Sequence, residues 1–95
     1  MEKDVIRKIL KKEGYKKIKF CECLGWDLKA DNQIIEVKET HKRKYFKNSS
    51  FTFHSDEQVN LYHKGKLTIL FIFDGKPYGY YKMFKKGQER IVKRI

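Results

Sequence analysis

The run "LTILFIF", Leu67 to Phe73, constrains this chain more than any other stretch. A strand with one wet face alternates apolar and polar residues, and this one carries no charge at either parity. Both of its faces must therefore be covered. The run predicts a central strand in a sheet with packing on each side. It has the length of a buried strand and falls far short of the ~20 apolar residues that span a bilayer.

The rest of the chain supplies what such a strand needs. Val5, Ile6, Ile9 and Leu10 recur at helical spacing between Glu2 and Glu13, with Asp4, Lys8, Lys11 and Lys12 on the other side and Gly14 as a stop. Three strand-like segments follow: Lys16 to Leu24, Trp26 to Ala30, and Gln33 to Glu39, the last two joined by a turn at Asp31-Asn32. "HKRKYFKNSS", His41 to Ser50, breaks the periodicity and reads as a loop or a ragged strand extension. Phe51 to Phe53 resumes extended structure. Ser55 opens a short helix to about His63, stopped by Gly65. After the central strand, Gly75 and Pro77 make a turn and "YGYYKMF" returns as an aromatic strand. Lys85 to Ile95 shows no assignable pattern. The order is helix, three strands, helix, two strands. It predicts an α/β or α+β fold with a mixed central sheet flanked by helices, and 95 residues form one domain, 1–95.

Charge narrows the function classes. The formal net charge is +11, and charged residues make up 37% of the chain. His41 to Ser50 holds four basic residues and no acid, and the tail from Lys85 to Ile95 holds five basic residues and one acid. Concentrated Lys and Arg release counterions from phosphates, so nucleic acid is the expected partner. Solubility or thermostability is the competing use of a lysine-rich surface. An apolar fraction of 40% excludes a disordered chain. No signal-peptide core follows Met1, so the expected location is cytoplasmic, with no membrane partner. Cys21 and Cys23 are spaced for neither a disulfide nor a zinc knuckle and read as small buried hydrophobes. His41, His54 and His63 complete a zinc set only on paper.

The chemistry candidates lie in "GWDLKADNQIIEVKET", Gly25 to Thr40. Glu36 and Lys38, two apart on a strand, project from one face, while Ile35 and Val37 point into apolar packing. Asp27 on the neighbouring strand lies close to Glu36 if the chain turns at Asp31-Asn32. Two adjacent carboxylates repel unless a cation joins them, and Mg2+, an oxygen-seeking ion that also reaches phosphate, is the natural one. A lysine beside it orients the attacking water. The competing reading is a solvated strand face carrying an ion pair.

That segment, an acid on one strand and then E-V-K after a turn, resembles the active site of the PD-(D/E)XK nuclease superfamily. Element order from Gly25 to about Phe73 is similar too. The resemblance implies a restriction-endonuclease-like core and Mg2+-dependent hydrolysis of phosphodiesters, with Mn2+ as a substitute and no small-molecule cofactor. It implies Asp27 and Glu36 as metal ligands, Val37 giving its backbone carbonyl to the metal, and Lys38 positioning the water. Trp26 stands where the superfamily's name puts proline. Branches such as archaeal Holliday-junction resolvases carry an acid in the first helix. Glu2 fits that place, four and seven residues before Ile6 and Ile9 on the inward stripe, and Asp4 does not.

Two further features have paired readings. "QVNLY", Gln58 to Tyr62, is similar to the Q-x-x-x-Y of RecB-like and lambda-exonuclease-like branches, which would make Gln58 catalytic. Ser55 to Gln58 is equally S-x-x-Q, a capping box in which Gln58 reaches back to the N-cap amide. In "KRKYFKN", Lys42, Arg43, Lys44 and Lys47 follow phosphates while Tyr45 or Phe46 stacks on a base, or else the rings fill the core and the cations are merely solvated.

The expected function is a metal-dependent endonuclease on structured or duplex DNA, with homodimerisation as one source of specificity. A non-catalytic nucleic-acid-binding module on the same fold is the alternative. A protein-interaction subunit using its charge on an acidic partner is the third.

Overall fold

The computed structural model describes residues 3–20, 28–75, 78–92 and 94–95. Their elements run α1 (Lys3–Lys12), β1 (Ile18–Phe20), β2 (Leu28–Ala30), β3 (Gln33–Thr40), α2 (Arg43–Lys47), α3 (Asp56–His63), β4 (Leu67–Phe73), β5 (Tyr80–Lys85) and β6 (Gln88–Val92). The strands form one six-stranded sheet in the order β1-β2-β3-β4-β5-β6. All neighbours are antiparallel except β3 and β4, which are parallel. Parallel neighbours need a crossover, and α2 and α3 supply it. The fold is α+β with a mixed sheet.

β4 is central, and all seven of its residues are buried. Its two faces feed separate cores. Leu70 and Ile72 join Ile35, Tyr81 and Met83 under Ile6, Ile9 and Leu10 of α1. Leu67, Ile69, Phe71 and Phe73 join Phe46 and Phe84 beneath α2 and α3, with Phe51, Phe53, Leu61 and Tyr62 packed at the margin. Each such aliphatic or aromatic side chain contributes roughly 1.5–3 kcal/mol on burial, so a charge in either layer needs a reason.

Both longer helices stop in the same way. Gly14 and Gly65 have φ of +96° and +73°. The amides of Gly14 and Tyr15 bond the carbonyls of Lys11 and Leu10, and those of Gly65 and Lys66 bond Tyr62 and Leu61. These are Schellman caps, which satisfy carbonyls the last turn would leave open.

Three expectations are corrected. The stretch from His41 to Ser50 is not simply a loop, because Arg43–Lys47 form α2. Burial of Phe46, whose ring centroid lies 5.5 Å from that of Phe71, holds that turn on the sheet. The final segment is not a tail. Lys86-Gly87 turn the chain, Gly87 at φ +74°, and Gln88–Val92 form edge strand β6, giving three strands after α3 instead of two. Phe51 to Phe53 make no strand; their rings pack on Phe71 and Tyr62. The aromatic strand β5 is core, with Tyr81, Lys82, Met83 and Phe84 buried. Of the predicted first two strands, Ile18–Phe20 and Leu28–Ala30 are strand, and Cys21, Cys23 and Trp26 lie outside the described residues.

Candidate active site

β3 places Glu36 and Lys38 on the face that looks toward α2 and α3. Glu36 pairs in register with Ile69 and Lys38 with Phe71, both members of that face's core. Ile35 and Val37 pack on the α1 side, as the alternation predicts. Glu36 is only 4% exposed. Removing a carboxylate from water costs several kcal/mol, more than an apolar residue opposite Ile69 would, so stability alone does not explain it.

What surrounds the carboxylate is specific. Gln58 Nε2 donates to Glu36 Oε2 at 2.9 Å. Lys38 Nζ and His54 Nε2 each stand 3.9 Å from Oε1, in ion-pair and not hydrogen-bond range. The Lys38 side chain is itself 10% exposed. Lys38 of β3, Gln58 of α3 and His54 of the segment just before α3 thus converge on one buried acid.

Gln58 lies at the start of α3 and is directed both to the backbone before the cap and to Glu36. Ser55 is the N-cap of α3, and its Oγ accepts from the Gln58 amide at 3.3 Å. The Gln58 side chain reaches back as a capping box would, but to the amide of His54 and not that of Ser55: His54 N–H donates to Gln58 Oε1 at 3.0 Å. Its other end is therefore directed to Glu36. Tyr62, the partner in the Q-x-x-x-Y pattern, takes the core role. Its ring packs on Phe53, and its hydroxyl donates to the Lys85 carbonyl at 3.2 Å. Burial raises its pKa, with a smaller push from Glu89.

The basic segment borders this centre. Phe46 of α2 packs on Phe71, the register partner of Lys38, which sets α2 beside that lysine. Lys42, Arg43, Lys44 and Lys47 are exposed, as is Tyr45 at 48%. Of the two aromatics, Phe46 is core and Tyr45 faces solvent.

Asp27 and Glu2, the expected second ligand and helix acid, lie outside the described residues. Among the described residues no three His, Cys, Asp or Glu gather as a metal set. The donors that are described fit a divalent ion nonetheless. Glu36 offers a buried hard oxygen, one carboxylate arm is held by a neutral amide, and the other turns toward an imidazole and an ammonium. Glu36 would hold it, its carboxylate oriented by Gln58; Lys38, an ammonium without a lone pair, would stand beside the ion and not ligate it.

Sequence reasoning missed two residues. His54 directly precedes the Ser55 cap and lies at Glu36 only because α3 docks there; the S-x-x-Q signal marks the cap and not the imidazole. Lys82, buried within the aromatic β5, donates to the carbonyl of Phe46 at 2.6 Å and to Ser49 Oγ at 3.0 Å. It ties the end of α2 to the sheet.

On the α1 face a separate cleft of about 250 Å³ is bordered by Glu13, Tyr15, Thr68 and Arg90. Tyr81 Oη donates to Glu13 Oε2 at 2.9 Å, and Arg90 Nη1 pairs with Oε1 at 3.1 Å. These bonds join the end of α1 to β5 and β6. Burial first, then the bond to Glu13, raises the Tyr81 pKa above the ordinary tyrosine value.

No protein-family model, curated protein or solved structure matches the chain.

Proposed function

We propose that this chain is a small metal-dependent nuclease of the PD-(D/E)XK type, hydrolysing phosphodiester bonds in DNA. The buried Glu36 carboxylate, gripped by Gln58 and approached by Lys38 from the same strand, carries the reading. The element order supports it: a helix, a three-stranded meander, and a helical crossover to a parallel strand. So does the net charge of +11 around one compact acidic centre.

A bound divalent ion would supply charge stabilisation at the phosphate and a more acidic water. The protein's own residues do the rest. Glu36 and Asp27 would provide the negative charge that holds the ion, with the Val37 carbonyl as a further oxygen donor and Glu2 as an accessory acid. Gln58 fixes the Glu36 rotamer. Lys38, its stem buried beside the core, directs an ammonium with three donors at the attacking water and the phosphate oxygens. Lys42, Arg43, Lys44 and Lys47 track the backbone, and Tyr45 stacks on an unpaired or splayed base. Reading of DNA shape, or homodimerisation, would supply specificity.

The exposed cations and Tyr45 on α2 also favour a second reading, a nucleic-acid-binding module without catalysis. Labelled duplex and four-way-junction DNA, incubated with Mg2+, Mn2+ or EDTA, separates the two. Cutting only in the presence of metal supports the nuclease; salt-sensitive binding with no cutting under any metal supports the module.

A further inference from the structure

His54 stands in ion-pair range of Glu36 and is held there through its backbone. Its side chain is 71% exposed, yet Nε2 lies 3.9 Å from Glu36 Oε1. An exposed imidazole ordinarily samples several rotamers, but the backbone of this one is tied to the carboxylate it faces. The His54 amide bonds Gln58 Oε1 at 3.0 Å, and Gln58 Nε2 bonds Glu36 Oε2 at 2.9 Å. One glutamine amide thereby sets the spacing between the histidine and the acid.

Two donors that share one ion at about 2.1 Å each lie no more than about 4.2 Å apart. Oε1 and Nε2 meet that bound. Lys38 Nζ stands equally near Oε1, but an ammonium has no lone pair to give. Of these two groups at Oε1, only the imidazole can ligate. We infer that His54 Nε2 is a ligand to the ion that Glu36 holds, and that the centre consequently prefers first-row transition ions to Mg2+. Mg2+ favours all-oxygen shells, whereas imidazole nitrogen strengthens binding along the transition series. The inference rests on the metal-centre reading above and adds a ligand and an ion preference to it.

The substitution His54→Ala tests it cleanly, because alanine keeps the amide that bonds Gln58 and so keeps Gln58 on Glu36. The probe is Mn2+, followed by pulsed electron paramagnetic resonance for coupling to a directly bound nitrogen. Calorimetric titrations of Mn2+ and Mg2+ run alongside. The wild-type chain is expected to show nitrogen coupling that His54→Ala lacks. The variant's Mn2+ affinity should fall by about tenfold or more, against a change of less than about threefold for Mg2+. Mn2+ bound without nitrogen coupling, or with coupling that survives in His54→Ala, overturns the histidine ligand and leaves the metal centre standing. A wild-type chain that binds no Mn2+ overturns the metal centre itself.

Discussion

Gln58 Nε2 donates to Glu36 Oε2 at 2.9 Å, joining the first turn of α3 to the middle of β3. An amide is neutral, so it fixes the carboxylate without cancelling its charge. The helix that carries the crossover between the two parallel strands also sets the rotamer of the acid on the first of them. Fold and chemistry share one hydrogen bond.

Replacing that amide with an acid exposes the relationship. Gln58→Glu sets a second carboxylate beside a buried one and removes a donor, which should cost about 1–3 kcal/mol of stability in EDTA. A divalent ion that joins the two acids restores it, because anything bound only by the folded state adds RT ln(1 + [L]/Kd). Thermal melts are expected to show the variant below wild type in EDTA, with a larger upward shift than wild type on adding Mn2+. An equal shift in both proteins would separate Gln58 from the ion site.

The cations of α2 and its exposed tyrosine should act differently on DNA. Replacing Lys42, Lys44 and Lys47 with alanine is expected to flatten the slope of log K against log salt by up to about 2.7, at ~0.9 per duplex phosphate contact. Tyr45→Ala should leave the slope unchanged and weaken binding of unpaired strands by about 1–3 kcal/mol. Filter binding across a salt series on duplex and single-stranded DNA measures both.

The Tyr81–Glu13 bond makes a pH prediction. The folded pKa of Tyr81 is raised from the ordinary value of 10.0. Its stabilising effect is therefore complete below that value and is lost as pH rises through the raised one. In that window the unfolded chain has released a proton that the folded chain retains. Tyr81→Phe should cost about 1.5–3 kcal/mol near neutral pH, as expected for losing a hydrogen bond to a charged group. The gap to wild type should narrow above about pH 10. Urea unfolding at a series of alkaline pH values gives both quantities.

Lys82 supplies a purely structural comparison. Its ammonium serves the Phe46 carbonyl and Ser49 Oγ, and lies 4.7 Å from the Phe46 ring centroid. Lys82→Met keeps the buried stem and removes the donors, so it should cost about 1–3 kcal/mol. Proteolysis within residues 42–50 should accelerate, since α2 loses its anchor. Cleavage rates by trypsin at Arg43 and Lys44, compared with those at a distant site, report this directly.

Much of the architecture is legible in residues that serve one strong constraint each. "LTILFIF" had to be central because neither parity offers a wet face, and β4 is buried throughout. Gly14 and Gly65 marked helix ends because the left-handed turn that closes a Schellman cap disfavours a Cβ. The shared face of Glu36 and Lys38 follows from the period of a strand. The missed parts depend on tertiary docking. One inward residue, Phe46, makes a five-residue helix out of a basic run whose composition hides it. β6 is an edge strand with mostly exposed residues, so it carries almost no apolar period. The imidazole of His54 reaches Glu36 only once α3 lies on the sheet, and no local pattern records that approach, whereas Gln58 stood out as a site residue only through its likeness to the Q-x-x-x-Y pattern.

The most direct measurement is DNA cleavage by Lys38→Ala against wild type, with Mn2+ and with EDTA, and with binding to the same DNA measured in parallel. Lys38 lies largely buried at the Glu36 carboxylate and is not one of the exposed cations of the basic segment, so a hydrolytic centre requires that cleavage fall by about a hundredfold or more while affinity stays within about threefold. Cleavage by the variant at the wild-type rate, or a wild-type chain that binds DNA and never cuts it, would contradict it.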